Sequence, residues 1–369
     1  MLTNEITPRI FVAATRQNDG KTTTALGLVA GLRKRFGKVG YIKPIGQRYV
    51  EVDGLKVDED TVLINDTYQP GLPLEAMSPI AVDPHFTRQY LDAGDPEELK
   101  SRVENAFNRA AWEQDFVVIE GSGHAGVGSV FDMSNAQVSA LLKSKAIIVS
   151  QGGVGRPIDE IALNLALFRK FKVPVIGAIM NKVIPDRIAD LWPYAEKGLA
   201  KLGLPLLGIV PLNNTLRQPT VNQVCEELKG KFIAGEKAKR RRVSRVAIAI
   251  TTSRNAEVYF EPGSLIITAG DREDMILAVL GAITEGGISQ VAGVVLTHGM
   301  LPQPGLVKIM QTRNIPFISV PHESYEVASK INRMTVKTEP GDGEKIGLIQ
   351  QLIEESVNLD AIISAAKMS

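Results

Sequence analysis

The sequence predicts an α/β fold, in which a parallel sheet flanked by helices is followed by a second, smaller α/β unit. The first observation is that short apolar runs alternate with amphipathic helical runs across residues 9–212. The second is that the same alternation resumes across residues 243–331. The third is that polar motifs directly follow the apolar runs. Near-continuous apolar strands separated by helices indicate a parallel sheet that is buried on both faces.

Length and composition suit a folded protein of about two domains. The chain has 369 residues, of which 44% are hydrophobic, and a domain takes roughly 100–200 residues. The formal net charge is +1, so no global field favours nucleic acid or an anionic membrane. Cys225 is the one cysteine, which excludes an internal disulfide and suits a reducing compartment. Without a basic leader or an apolar run of about 18 residues, the sequence predicts a cytoplasmic protein.

The predicted elements of the first region can be read from these apolar and helical runs. The predicted strands are Ile10–Ala14, Val39–Lys43, Phe116–Glu120, Ala146–Ser150, Val175–Met180 and Leu206–Val210. The predicted helices cover residues 22–35, 96–114, 135–143, 157–171 and 186–202. Ligands of such sheets bind beyond the carboxyl ends of the strands. We therefore expect the chemistry directly after each strand.

The turn after the first strand has the residues of a phosphate-binding loop, or P-loop. Residues 15–23 read Thr-Arg-Gln-Asn-Asp-Gly-Lys-Thr-Thr, and a helical run follows. Backbone N–H groups at a helix N-terminus attract phosphate. Lys21 would reach the β- and γ-phosphates, and the Thr22 hydroxyl would hold Mg²⁺. The usual first glycine is replaced by Thr15, which fits only if its backbone has no need of positive φ. The alternative is a glycine-containing turn with a surface lysine.

Polar residues also follow the other predicted strands. Lys43 ends the second strand, Asp58-Glu59-Asp60 lies in the loop after it, and Glu120 ends the third strand as a Walker-B carboxylate does. Asn181 and Pro211 follow two later strands. Taken alone, Lys43 is also explained as a charged strand end, and the acidic triplet as a helix cap. Their shared edge of the sheet favours one site in which carboxylates bind Mg²⁺.

Residues 10–212 resemble the dethiobiotin synthetase-like family of P-loop proteins, through Gly20-Lys21-Thr22, Lys43-Pro44, Glu120-Gly121-Ser122-Gly123, Asn181 and Val210-Pro211. The resemblance implies a P-loop NTPase-like fold that binds ATP and Mg²⁺. It also implies a substrate-facing second-strand lysine and adenine recognition by the asparagine and the late strand-end loop. The expected site residues are Lys21 and Lys43 for catalysis, Arg16, Asn18, Asp19, Gly20, Lys21, Thr22, Thr23, Asn181 and Pro211 for nucleotide, and Thr22, Asp58, Asp60 and Glu120 for metal.

Three positions depart from the pattern of that family. The family usually has Gly where this chain has Ala14 and Asp where it has Arg16, and His124 stands in place of a glycine. Nucleotide binding is still expected with these changes. They do not indicate which substrate, if any, the protein uses. Which member of the acidic triplet meets the metal is also left open.

A nearer resemblance is to the N-terminal region of long phosphate acetyltransferases. It is carried by the run from Ala13 to Thr22, by Gly40–Arg48 and by Val57–Ile64. From about Thr220 to Ile331 the chain resembles a DRTGG domain, through Leu265-Ile-Ile-Thr-Ala-Gly-Asp-Arg, although Glu273-Asp274 replaces the Thr-Gly of the motif. The predicted division is a P-loop domain over residues 1–215, a DRTGG-like domain over 216–334, and a linker with a helical tail over 335–369.

The second region has its own predicted elements. Its predicted strands are Val246–Ile250, Ser264–Thr268, Val291–Leu296 and Phe317–Val320, and its helices cover 272–286, 303–313 and 324–332. A capped helix is predicted from Thr220. The basic run Lys237–Arg245 has no interleaved aromatic residues, so we expect a solvated loop or strand edge rather than a nucleic-acid contact.

Three functions fit these motifs. The first is a nucleotide-responsive regulatory module that forms a homodimer and works with a partner enzyme of acyl-phosphate metabolism. The second is an ATP-dependent ligase of the dethiobiotin synthetase or cobyrinic acid a,c-diamide synthase type, with Lys43 facing a carboxylate or carbamate. The third is a partition-type ATPase, in which Arg16 occupies the position of a second lysine. The sequence stops where the catalytic domain follows in the long acetyltransferases, so no acetyltransferase activity is expected of it.

Overall fold

The computed structural model describes residues 4–282 and 291–367. The chain divides into two compact units. The first unit combines the residues up to Asn213 with those from Thr338 onward, and the second unit is Asn214–Lys337. Each unit contains a mainly parallel sheet flanked by helices. The predicted α/β fold class is therefore confirmed.

The first unit is built on a six-stranded parallel sheet, with two additional two-stranded sheets, β3-β6 and β4-β5. The strands of the unit are β1 (Arg9–Ala14), β2 (Val39–Ile42), β3 (Ile45–Gly46), β4 (Tyr49–Val52), β5 (Leu55–Asp58), β6 (Ile80–Ala81), β7 (Phe116–Glu120), β8 (Lys145–Gln151), β9 (Val175–Val183) and β10 (Leu206–Pro211). The large sheet has the order β10-β9-β8-β1-β7-β2. In β1 the successive residues Ile10, Phe11 and Val12 are all buried. Both faces are therefore covered, as the unbroken apolar runs predict.

Helices cover the two faces of this sheet. They are α1 (Lys21–Arg33), α2 (Glu59–Tyr68), α3 (Leu74–Met77), α4 (Phe86–Ala93), α5 (Pro96–Ala111), α6 (Asn135–Leu141), α7 (Arg156–Lys170) and α8 (Ile188–Lys201). The predicted strands and helices of this unit are present, with ends that differ by at most three residues. Because the strands are parallel, the ends of β1, β2, β7, β8 and β9 that carry the polar motifs lie at one edge of the sheet.

One local feature of the first unit was missed from the sequence. Strands β4 and β5 form an antiparallel hairpin, in which Val52 pairs with Leu55. The two residues between them, Asp53 and Gly54, both have positive φ, at 50° and 77°. An Asp-Gly pair is a common hairpin turn because both residues tolerate this backbone region. The hairpin delivers the chain to Asp58 at the start of α2.

The second unit contains a five-stranded sheet. Its strands are β11 (Lys231–Ala234), β12 (Arg245–Ile248), β13 (Ser264–Ala269), β14 (Gly293–Thr297) and β15 (Phe317–Ser319), in the order β11-β15-β14-β13-β12 with β11 antiparallel. Its helices are α9 (Val221–Glu227), α10 (Ser253–Ala256), α11 (Glu273–Gly281), α12 (Pro304–Gln311) and α13 (Ser324–Arg333). Thr220 caps α9 in a capping box with Gln223, as predicted. Residues 283–286 of the helix predicted over 272–286 lie outside the described residues.

The C-terminal helices belong to the first unit and pack on its other elements. They are α14 (Gly343–Ser356) and α15 (Leu359–Lys367). A Cβ on Gly27 of α1 would lie 2.3 Å from Ile353 Cγ1, so the missing side chain lets α14 approach the backbone of α1. Gly208 of β10 forms an antiparallel bridge with Val357. Within residues 4–282 and 291–367, no helix is both long and apolar enough to span a bilayer.

Candidate nucleotide-binding site

The turn between β1 and α1 has the geometry of a phosphate-binding loop. Gly20 directly precedes α1 with φ 104°, a backbone conformation that favours glycine. Its position also excludes a side chain, since a Cβ would lie 1.9 Å from Asn181 Nδ2. No side chain caps the N-terminus of α1. The N–H groups of its first turn are thus oriented to bind an anion.

Thr15 suits this loop despite replacing the usual glycine. It is not among the described residues with positive φ. Its hydroxyl donates to Asp19 Oδ2 at 2.6 Å, and the Arg16 backbone N–H donates to the same oxygen at 2.8 Å. Asp19 is fully buried. The threonine therefore holds the loop closed through a side-chain contact that glycine could not make.

Lys21 begins α1 and is 8% exposed. Burial lowers the pKa of Lys21, and the nearby Glu120 carboxylate opposes that shift. A buried ammonium at a helix N-terminus gains from an anionic ligand, because the helix end and the lysine both carry positive potential. The residue therefore meets the requirement for contact with a phosphate.

Glu120 connects the P-loop to the rest of the site. Its Oε1 accepts a hydrogen bond from Thr22 Oγ1 at 2.8 Å, and its Oε2 accepts one from Tyr41 at 2.8 Å. Glu120 is fully buried, and burial raises the pKa of its carboxyl group although Lys43 opposes the change. Burial likewise raises the pKa of Tyr41. Nothing in the apolar run around Tyr41 had marked it as a site residue.

Lys43 lies among three carboxylates that we call the carboxylate cluster: Asp58, Asp60 and Glu120. Its Nζ is 3.0 Å from Asp58 Oδ1 and 3.6 Å from Glu120 Oε1, and it also contacts Asp60 Oδ2. Burial alone would lower the pKa of Lys43, but the three carboxylates together raise it above its ordinary value. Asp58 also accepts from Asp60 N at 3.0 Å as the cap of α2. Asp58 therefore caps α2, as the alternative interpretation of the acidic triplet expects, and Asp58 and Asp60 both contact Lys43.

Oxygen atoms at the start of α1 and at the end of β7 fit a Mg²⁺ ion that is bound together with a nucleotide. The Thr22 hydroxyl and the Glu120 carboxylate are adjacent oxygen ligands. Mg²⁺ is commonly bound by one or two carboxylates with substrate phosphates and water. In the part of the chain that is described, no three His, Cys, Asp or Glu residues are arranged to hold a metal by themselves. Phosphate and water would have to complete the coordination.

Three of the other expected site residues, Arg16, Thr23 and Pro211, make no contact with the carboxylate cluster among the contacts of the described residues. Arg16 Nε is 2.6 Å from Glu160 Oε2, and Arg156 pairs with the other oxygen of Glu160 at 2.8 Å. Thr23 lies in the first turn of α1. Pro211 ends β10, the edge strand three positions from β1. Nothing in the sequence indicated that Glu160 would pair with Arg16, because this contact requires the start of α7 to lie beside the P-loop.

The end of β9 contacts the P-loop directly. Asn181 Nδ2 donates to the carbonyl oxygen of Asp19 at 2.9 Å. The neighbouring Lys182 donates through Nζ to the carbonyl oxygen of Asn18. Asn18 and Lys182 both have positive φ, at 65° and 60°. Lys182 was not predicted as a site residue, and its position next to Asn181 was the one available signal.

Comparison with protein families identifies both units. An AAA domain matches residues 8–220, and a DRTGG domain matches residues 223–334. Phosphate acetyltransferase of Nitrosomonas europaea is 25% identical over 96% of this chain and 51% of its own length. Phosphate acetyltransferase of Pseudomonas putida is 28% identical over 95% of this chain and 50% of its own length. The chain therefore spans about half the length of these curated relatives.

Two solved structures are similar at low identity. MinD of Pyrococcus horikoshii, complexed with Mg-ADP, is 18% identical, with 57% of this chain and 84% of that chain covered and a TM-score of 0.38. The CBS and DRTGG domains of the regulatory region of Clostridium perfringens pyrophosphatase, complexed with diadenosine tetraphosphate, are 15% identical. That match covers 48% of this chain and 86% of the other, with a TM-score of 0.28.

Proposed function

We propose that this chain, which belongs to the AAA domain family and carries a DRTGG domain, is an ATP- and Mg²⁺-binding regulatory module. The observation that carries the proposal is the 2.8 Å hydrogen bond from Thr22 Oγ1 to Glu120 Oε1, beside Lys21 at the start of α1. It joins the phosphate-binding loop to a carboxylate on the neighbouring strand. Bound Mg²⁺ would neutralise phosphate charge, with Thr22 and Glu120 to hold it.

A regulatory role is supported by the state of the cationic side chains. A ligase would use Lys43 to stabilise charge that develops on its substrate. Here the Lys43 ammonium group already contacts Asp58, Asp60 and Glu120, so its charge is compensated inside the protein. Arg16 is likewise paired, with Glu160. We therefore propose that nucleotide binding, rather than rapid turnover, is the output of the site.

The partner we propose is an enzyme that makes or uses an acyl phosphate. The support is that the curated relatives are phosphate acetyltransferases of which this chain spans about half. The single cysteine, Cys225, suits the cytoplasm as the proposed location.

We also propose a homodimer, in which Arg16 would leave Glu160 to reach a phosphate across the interface. A monomer by light scattering at micromolar concentration, with and without ATP, would contradict the dimer.

The second candidate is an ATP-dependent ligase that phosphorylates a carboxylate or carbamate. One observation favours it: Lys43 follows β2 and lies beside the same carboxylate that bonds Thr22. If substrate displaced Asp58 and Asp60 from Lys43, the ammonium group would face the reacting phosphate. In that case Lys43→Ala would abolish turnover.

The deciding experiment combines binding and turnover. ATP binding is measured by calorimetry with Mg²⁺, and hydrolysis is measured with and without dicarboxylates, diamino acids and bicarbonate. The regulatory proposal expects binding with little hydrolysis, and a change in hydrogen exchange of residues 223–282 on adding ATP. Acid-dependent turnover above about 1 s⁻¹, the low end for ordinary enzymes, would favour the ligase. Absence of ATP binding would reject both candidates.

A further inference from the structure

We infer that Asn181 and Lys182 form a clamp that positions the phosphate-binding backbone of the P-loop. The inference rests on the proposed nucleotide binding and assigns a role within that site. Two successive residues at the end of β9 donate to two successive carbonyl groups of the loop. Asn181 Nδ2 donates to Asp19 O at 2.9 Å, and Lys182 Nζ donates to Asn18 O.

The clamp acts through the planarity of the peptide group. In a trans peptide, the carbonyl of one residue and the N–H of the next point in opposite directions. Drawing the carbonyls of Asn18 and Asp19 towards β9 therefore turns the N–H groups of Asp19 and Gly20 away from it. Those N–H groups are the donors that a P-loop offers to phosphate. A loop whose carbonyls are bound in this way has its phosphate donors oriented before the ligand arrives.

The clamp is built on a rigid part of the fold. Asn181 pairs with Gln151 in the register of β8 and β9, and its carbonyl accepts from Gly152 N at 2.9 Å. Its side chain is 4% exposed, and its Oδ1 accepts from Lys182 N at 2.8 Å. Its Nδ2 also fills the space where Gly20 would carry a Cβ. The amide therefore has one fitted orientation against the loop.

Lys182 completes the clamp through an unusual backbone conformation. Its φ of 60° lies in the left-handed region, which a residue other than glycine adopts at some cost. It interrupts the extended run of β9 one residue before the strand ends at Val183, and it is compatible with the side chain folding back to Asn18. The Lys182 side chain is exposed, so its bond to Asn18 O competes with water, whereas the Asn181 amide is buried. The asparagine is therefore expected to contribute more than the lysine.

This role differs from adenine recognition, which the family resemblance implies for Asn181. One N–H of its amide donates to Asp19 O and its oxygen accepts from Lys182 N, so the protein itself fixes the orientation of the amide. A base-reading residue would affect ligands that carry adenine and would leave inorganic phosphates unaffected. A clamp would affect both, because both use the loop backbone. The two roles are thus separable by choice of ligand.

The test compares Mg·ATP with Mg·tripolyphosphate, which has no base, by calorimetry on the full chain. Asn181→Ala is expected to weaken both ligands by a similar factor, about three- to tenfold, the cost of one hydrogen bond. Lys182→Met is expected to weaken both by a smaller factor, about two- to threefold, because its contact is exposed, with partial recovery in Lys182→Arg. The control is Lys172→Met, an exposed lysine with φ 56° just before the opposite end of β9. It should leave both affinities unchanged.

A second measurement keeps the clamp testable without a ligand. Asn181→Ala and Lys182→Met should speed hydrogen exchange of residues 15–22 in the free protein, while the thermal midpoint stays near that of Lys172→Met. Weakened ATP binding with unchanged tripolyphosphate binding would overturn the clamp in favour of base recognition. Unchanged exchange and unchanged affinities would also overturn it. Failure of the unmodified protein to bind either ligand would reject the nucleotide proposal, and the exchange data alone would then decide on the clamp.

Discussion

The Thr22 hydroxyl donates to Glu120 Oε1 at 2.8 Å, across 98 residues of sequence. The contact forms because β1 and β7 are neighbours in the parallel sheet, so the turn after one strand lies beside the end of the other. It brings together a hydroxyl at the start of α1 and a carboxylate at the end of β7, two oxygen donors of the kind that Mg²⁺ prefers.

Lys21→Ala should weaken the binding of Mg·ATP roughly ten-fold to a hundred-fold. The reason is the loss of a charge-assisted contact worth about 1.5–3 kcal/mol. Calorimetric titration measures the change. Lys34→Ala is the control, since Lys34 follows the other end of α1 with its side chain 62% exposed. Equal affinities for Lys21→Ala and the unmodified protein would remove the phosphate contact from the proposal.

Glu120→Gln should reduce the benefit that Mg²⁺ gives to nucleotide binding. Glutamine keeps an oxygen for Thr22 but loses the negative charge that favours the metal. The ratio of dissociation constants for ATP in chelator and in Mg²⁺ should fall by about tenfold, the worth of one charged contact. Glu113→Gln, at an exposed side chain, should leave the ratio as it is. A full Mg²⁺ effect in Glu120→Gln would exclude this carboxylate from the metal site.

The same variant gives a signed pH dependence of stability. Burial raises the pKa of Glu120 above its ordinary value of 4.5, so the folded state binds its proton more tightly than the unfolded state does. The resulting stability is fully present below the unfolded pKa and is lost as the pH rises through the folded pKa. The free energy of unfolding of the unmodified protein, minus that of Glu120→Gln, should therefore fall as the pH is raised from about 4. Denaturant titrations at several pH values measure it, and a rising difference would contradict the burial argument.

Lys43→Met should destabilise the first unit by about 3–5 kcal/mol, because it leaves buried carboxylates without their cation. Urea unfolding followed by circular dichroism measures the loss. The matched control is Lys56→Met, which breaks a 3.0 Å pair with Asp83 at the surface and should destabilise the protein far less, because water screens this pair. Equal effects of the two substitutions would show that the carboxylate cluster does not depend on Lys43.

Gly27→Ala and Gly347→Ala should change stability in opposite directions. Both glycines are helical, but a Cβ on Gly27 would lie 2.3 Å from Ile353 Cγ1, and one on Gly347 would meet no atom within 4 Å. Overpacking costs about 1–3 kcal/mol, whereas alanine in an open helical position gains roughly 0.5–1 kcal/mol. Thermal and urea unfolding compare the pair. Stabilisation by both substitutions would mean that α14 does not pack closely on α1.

The elements that carry their own local signal were predictable from the sequence. The P-loop is contiguous, and its strand-turn-helix context is visible over residues 10–35. The edge location of Lys43 and Glu120 followed from parallel strand order, because the carboxyl ends of such strands meet. The hairpin at Asp53-Gly54 also had a local signal, although it was missed.

The side-chain contacts between distant segments of the site could not be predicted from local sequence patterns. Tyr41 bonds Glu120 across 79 residues, and Lys182 bonds Asn18 across 164. Whether such side chains meet depends on strand order and on the backbone conformation at each strand end. Neither quantity leaves a periodic pattern in the sequence.

The sequence by itself determined the α/β class, the two regions and the residue types at the sheet edge, because hydrophobic periodicity and turn chemistry are local. Only the tertiary structure decided that Lys43 is enclosed by carboxylates, that Asn181 and Lys182 hold the P-loop, and that α14 packs on α1. Each of these depends on packing between segments distant in the chain, where burial, charge and close backbone approach are set together.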